Sequence, residues 1–220
     1  MARTRIPSEL WTLPRPRRNK YPGGFPLHFE KKLILRLGLD PAHARVLHPF
    51  GGQAEYGIKV DLESQLDNLE EPPHYLGDAH DLRECLVYGG EWDGEKFGDP
   101  PPGLLPAPEM FADDQFDLVI CDPPFGEEWS RELWGVAAPS YKRYSAEAVR
   151  VCKPGGFVAM YHWTPQRRPA GTRFVLRLAI ETRIGHKLRS CRVFQKEEKV
   201  LDLGWSRGRR LVVRKPRRWR

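Results

Sequence analysis

Cysteine is scarce. Cys85, Cys121, Cys152 and Cys191 are scattered through 220 residues, with no CxxC pair and no histidines at ligand spacing beside them. That excludes a disulfide framework and a cysteine-built zinc site, and it suits reduced, buried thiols in an intracellular, cytoplasmic protein. No apolar run approaches the roughly 18 residues a membrane helix needs, and the N-terminus lacks an apolar signal core, so neither spanning nor secretion is expected. No internal repeat is visible. Carboxylates are also missing from one place: residues 204–220 carry eight basic side chains and no acid.

That last absence organises the charge of the chain. The net charge is +7, with residues 1–20 contributing six basic residues against Glu9 and the C-terminal stretch contributing +8, so the body between them is net −6. A mildly acidic body with two cationic ends points to a polyanionic partner held by the ends. The length suits one α/β domain with modest extensions. The expected organisation is a basic, proline-containing irregular arm over 1–24, the domain over 25–203, and a basic tail over 204–220.

The most informative stretch is residues 116–126, FDLVICDPPFG. Leu118, Val119, Ile120 and Cys121 form the continuous apolar run of a strand buried on both faces of a parallel sheet. It must stop at Asp122, because Pro123 and Pro124 have no amide proton and a fixed φ. The result is a stiff segment at the carboxyl edge of the sheet, where ligands of open α/β sheets bind. Asp122 and the Pro123 carbonyl are acceptors with almost no competing donors, and Phe125 adds a ring face. Such a set suits a planar heterocycle bearing an exocyclic amino group. The motif resembles the D-P-P-[YFW] signature of amino-methyltransferases, which use S-adenosylmethionine (SAM) to methylate adenine N6 or cytosine N4. The resemblance implies a Rossmann-like class I methyltransferase fold, α/β and mostly parallel, with a closing antiparallel strand pair.

Other segments extend the resemblance over residues 25–198. Residues 27–39 predict an amphipathic helix with Phe29, Leu33 and Leu37 on one face. Residues 45–52, RVLHPFGG, fit a first strand and a glycine turn, and the family likeness places His48, Pro49, Phe50, Gly51 and Gly52 against the cofactor. The second strand already begins at Gly57, so the helix that normally follows the glycine loop must shrink to a turn. Asp61, beside Leu62, ends that strand where an acid can hold ribose hydroxyls. Residues 75–82 resemble a "GDA-x-x-L" stretch, implying that Asp78 and Ala79 meet the cofactor's adenine. Residues 147–161, EAVRVCKPGGFVAMY, are similar to the helix-turn-strand that follows the catalytic strand, and residues 176–182 and 190–196 to the closing pair.

Between these landmarks, residues 89–115 form a long Gly- and Pro-rich excursion, and residues 127–144 interleave aromatics with cations. A helix over about 140–152 is expected. Arg131, Lys142 and Arg143, with Arg209, Arg210 and Lys215 of the tail, are the candidate nucleic-acid contacts. His162, just past the fifth strand, is read as structural. The sequence therefore suggests SAM-dependent methylation of an exocyclic amino group in nucleic acid, DNA more than RNA, with Asp122, Pro123, Pro124 and Phe125 as the catalytic group. No metal and no membrane are implied. DNA adenine N6 leads, RNA adenine N6 and DNA cytosine N4 are the alternatives, and a cofactor-dead nucleic-acid-binding module is the reading from another class.

Overall fold

The computed structural model describes residues 5–15, 24–62, 73–88, 104–182 and 188–198. The tail, with Arg209, Arg210 and Lys215, lies outside the described residues, as do residues 89–103 of the excursion and the turn over 184–187. The strands are β1 (Ser8–Thr12), β2 (Val46–His48), β3 (Ile58–Asp61), β4 (Tyr75–Leu76), β5 (Leu86–Val87), β6 (Phe116–Cys121), β7 (Cys152–His162), β8 (Thr172–Glu181) and β9 (Arg189–Lys196). The helices are α1 (Phe29–Arg36), α2 (Ala107–Met110), α3 (Glu127–Trp134) and α4 (Tyr141–Val151).

The nine strands form one sheet in the order β5-β4-β3-β2-β6-β7-β9-β8-β1. Strands β4, β3, β2, β6 and β7 are parallel, and β9 runs antiparallel between β7 and β8. This is the expected α/β, Rossmann-like methyltransferase architecture with its closing antiparallel pair. The chain leaves β2 towards β3 and β4, then returns to the other side of β2 to lay down β6 and β7. That reversal creates a crevice outside the carboxyl ends of β2 and β6, the place where such sheets bind ligands.

Strand β6 shows why the sheet forms. Leu118 and Ile120 are buried in one core layer with α1, whereas Val119 and Cys121 enter the other with α2 and α4. A strand with a layer on each face has no room for polar alternation. All four cysteines are buried and free, and burial raises each thiol's pKa.

Three readings of the sequence need correction. Residues 8–12, expected as irregular arm, form β1, which pairs in parallel with β8 and buries Trp11. Arginine and proline content concealed a five-residue strand that buries Trp11 and leaves Leu10 exposed. Lys153, Pro154, Gly155 and Gly156 do not simply close α4, because β7 begins at Cys152 and carries them as an irregular start, with a register shift against Phe116 and Leu118. Helix α1 is shorter than expected, ending at Arg36, with Gly38 in the left-handed region beyond it.

The expected loss of the first crossover helix is observed. Residues 49–57 alone carry the chain from β2 to its parallel neighbour β3. Gly57 makes this possible: its φ is +76°, and a Cβ there would lie 2.2 Å from the Val46 carbonyl oxygen. Gly57→Ala should therefore cost more than the about 1–3 kcal/mol of backbone strain alone. Gly126→Ala, with φ +93° but open space around the new carbon, should cost no more than that strain. Urea titration of the two variants checks the difference.

Candidate active site

A cavity of about 400 Å³ opens at the carboxyl edge of β2, β3, β6 and β7. Its floor comes from strand ends, because each strand delivers its last residue and following turn to the same edge. Of the residues expected at the cofactor, Pro49, Phe50, Gly51, Gly52, Asp61, Leu62, Asp78 and Ala79 line it, together with Asp122, Pro123, Pro124 and Phe125. Arg143 lines it too. Lys142 is exposed and outside it, and Arg131 is engaged by Glu127 at 2.7 Å along α3.

His48 is the exception. It is fully buried behind the cavity, with Nε2 3.0 Å from Glu30 Oε1. Its role is to pack: the ring meets Phe25 at a centroid distance of 5.6 Å. Glu30, itself 4% exposed, accepts the backbone amides of Glu55 and Tyr56 at 3.0 and 3.3 Å. One buried carboxylate on α1 thus ties down the shortened turn that replaces the missing helix.

Asp61 is also committed structurally. Its Oδ2 accepts the Gly52 amide and its Oδ1 the Leu62 amide, both at 2.9 Å. Burial raises its pKa, against the pull of these two amides. Asp61 lines the cavity, and each oxygen has capacity for a further donor beyond its amide. Gln53 adds what the acids lack, since its Nε2 is enclosed without a partner and the residue lines the cavity.

Asp78 and His80 form a link across the site. Asp78 accepts the His80 amide at 2.9 Å and lies 2.8 Å from His80 Nδ1. His80 Nε2 accepts the Ser140 amide at 2.8 Å, which places the ring proton on Nδ1. The wall expected to meet the cofactor is thereby tied to the α3–α4 connection, whose residues 136–139 also line the cavity.

At the other end stands Asp122. Its Oδ1 is enclosed with no hydrogen-bond partner among the described residues. Burial pushes its pKa up to about 7, with the positive charge of Arg189 pulling the other way. Phe125 stacks on Trp163 at 5.2 Å, meets His162 edge-on at 4.9 Å, and has the Arg189 guanidinium 4.6 Å from its ring centre. One ring face expected to be free is therefore occupied by Trp163.

Arg189 and Trp163 were invisible in the sequence pattern. They arrive through the β7–β9 register, in which His162 opposes Ser190, so that Arg189 lines the cavity at the end of the pair and Trp163 packs on Phe125 beside it. Arg189 Nη1 is enclosed and without a partner, and no ion pair joins Arg189 to Asp122. A donor and an acceptor thus face one cavity without satisfying each other. No group of three or more His, Cys, Asp or Glu side chains among the described residues is placed to hold a metal ion. No helix among them is long and apolar enough to cross a membrane.

No family model and no curated protein sequence matches the chain. Among solved structures it is similar to TrmN from Thermus thermophilus, with 17% identity, a TM-score of 0.49, and coverage of 80% of this chain and 50% of that one. It is also similar to yhhF from Escherichia coli, named as a candidate methyltransferase, with 15% identity, a TM-score of 0.39, and coverage of 84% and 91%. The chain spans half the length of TrmN. At these scores the fold rests on strand order and register, which stand independently of either neighbour.

The enclosure of Asp122 has a measurable cost. A carboxyl whose folded pKa is raised to about 7 stabilises the fold, relative to an ionised one, at low pH and loses that contribution as pH rises through about 7. Asp122→Asn, which cannot ionise, should match the parent in thermal stability only below the ordinary carboxylate range, near pH 3, and exceed it increasingly from there to near pH 8. Equal melting curves at both pH values would show that Asp122 is solvated in the folded protein.

Proposed function

We propose that the chain is a SAM-dependent methyltransferase acting on an exocyclic amino group of a nucleic-acid base, with adenine N6 of DNA as the leading substrate. The observation that carries this reading is the enclosed Asp122 Oδ1, unpartnered beside the Pro123–Pro124 segment and Phe125 in the same cavity as Asp61. An unpaired buried carboxylate oxygen is costly. It makes physical sense where a ligand's N–H groups complete it.

The residues fit both ligands. Asp61 offers acceptors for ribose hydroxyls, Asp78 and Ala79 lie on the adenine side, and the orphaned Gln53 Nε2 is a donor for a carboxylate. Bound there, SAM would supply an electrophilic methyl group. The rest is done by the protein. Asp122 and the Pro123 carbonyl accept the two amino protons, which draws the nitrogen lone pair out of conjugation and towards a tetrahedral, attacking geometry. Ionised Asp122 is the competent form, so transfer should fall as pH drops below about 7.

Phe125, backed by Trp163, offers the aromatic wall, and stacking of this kind is worth about 1–3 kcal/mol per base. Arg189 Nη1 is the complementary donor, suited to a ring nitrogen adjacent to the amino group. Adenine and cytosine both have such a nitrogen beside their amino group, which keeps DNA cytosine N4 as the second reading and leaves RNA as an alternative polymer. The target base must leave its stack to reach a cavity this enclosed.

Binding and transfer should separate cleanly. Asp122→Ala should abolish methyl transfer and leave SAM affinity nearly unchanged by calorimetry. Asp61→Ala should weaken SAM binding by about 1–3 kcal/mol, since it removes an acceptor and leaves the Gly52 and Leu62 amides unpaired. If Asp122→Ala loses SAM binding as severely as transfer, Asp122 belongs to the cofactor and the base site is misplaced.

A further inference from the structure

The body of the chain is net negative, yet one stretch of it runs strongly the other way. The described residues between 163 and 196 carry seven basic side chains against one acid, Glu181. Lys196 is neutralised by Asp114 at 2.5 Å. None of Arg167, Arg168, Arg173, Arg177 and Arg192 forms an ion pair among the described residues.

The placement of two of them is costly. Arg177 on β8 and Arg192 on β9 are direct cross-strand partners, and like charges opposite one another destabilise a sheet. Both guanidinium groups lie over the ring of Phe174, at 5.7 and 5.5 Å. Arg192 Nη1 is held by the Gln166 carbonyl at 2.9 Å, while its Nε is enclosed and has no partner. Arg168 and Arg173 are positioned by neutral acceptors alone, the Thr172 carbonyl and the Gln195 side chain. Stability alone would place acids here.

The patch is continuous with the cavity. Trp163, stacked on Phe125, opens the segment that leads to Gln166 and Arg167, and the Arg167 carbonyl accepts the hydroxyl of Tyr141 on α4. Arg189, three residues before Arg192 on β9, projects to the other face of the sheet and belongs to the cavity, so the link between patch and cavity runs through residues 163–167.

We propose that the surface carrying Arg177 and Arg192 around Phe174, with the adjoining Arg167, is the phosphate-binding platform that guides a nucleic-acid strand to the cavity. The proposal rests on the reading of the cavity as a base site. It moves the main phosphate contacts away from Arg131 and Lys142, the first of which is paired with Glu127. An ion pair to phosphate would relieve the Arg177–Arg192 repulsion without a protein acid, and the Phe174 ring would hold both cations while the strand is absent.

The test titrates full-length protein against a random-sequence DNA duplex, the same sequence as a single strand, and an RNA hairpin, each over a range of salt. Arg167→Gln and Arg177→Gln should each weaken binding and flatten the log–log salt slope by about 0.9 on the duplex or about 0.7 on the single strand, additively in the double variant. Arg83→Gln, beside β5 at the opposite end of the sheet, should leave the slope unchanged. Melting temperature supplies the second readout. Arg177→Gln removes a like charge from Arg192, so it should melt no lower than the parent. An unchanged slope in the double variant, with the parent binding, would overturn the platform and leave the base site standing; a drop in melting temperature with Arg177→Gln would make the arginine pair structural and overturn it equally. A parent that binds none of the three probes at low salt would remove the polymer reading itself. The tighter of the DNA and RNA arms identifies the polymer.

Discussion

The site depends on a carboxylate that the fold leaves unpaired. Asp122 ends a strand buried on both faces, at the point where two prolines forbid the strand to continue and offer no amide to satisfy it. In water such a group would be solvated, and in a core it would be neutralised or paired. Here it is enclosed, raised towards neutrality, and influenced by an arginine that does not bond to it. The free energy spent on that arrangement must be recovered elsewhere, and the two-layered core around β6 is the evident source.

The surrounding structure holds the other half of the cavity in place with few residues. A nine-residue connection stands where a crossover helix usually lies, and it survives because Gly57 takes a positive φ against Val46 and because buried Glu30 captures two of its amides. The Asp78–His80–Ser140 chain then links the β4 turn to the α3–α4 connection. Two stretches that line the cavity are thus held to each other by side-chain hydrogen bonds.

Much of this was legible in the sequence, and the limits follow from distance along the chain. The apolar run before Asp122, the prolines, and the strand-ending Asp61 are local patterns, and each declares its element by itself. The missing crossover helix could be counted from the spacing of two strands. What stayed hidden depends on register. Arg189 and Trp163 become neighbours of Phe125 only through the antiparallel pairing of β7 with β9, and nothing near either residue announces it. Glu30 carries no local signal either, because an acid on an amphipathic helix is ordinarily solvated and only the fold shows this one buried. His48 sat inside a glycine-turn pattern that drew it to the cofactor, while the buried Glu30 carboxylate and the Phe25 ring hold it inside the fold. Strand β1 was masked by arginines and prolines on both sides of five residues.

The central claim is that the Asp122 cavity transfers a methyl group to an exocyclic amino nitrogen of a nucleic-acid base. Its most direct measurement is mass spectrometry of the nucleosides released from DNA and RNA after incubation of the protein with SAM carrying a deuterated methyl group. The account predicts deuterated N6-methyladenine from DNA, produced by the parent and absent with Asp122→Ala. Label on a ring carbon, a ring nitrogen or a sugar, or label that persists without Asp122, would contradict it.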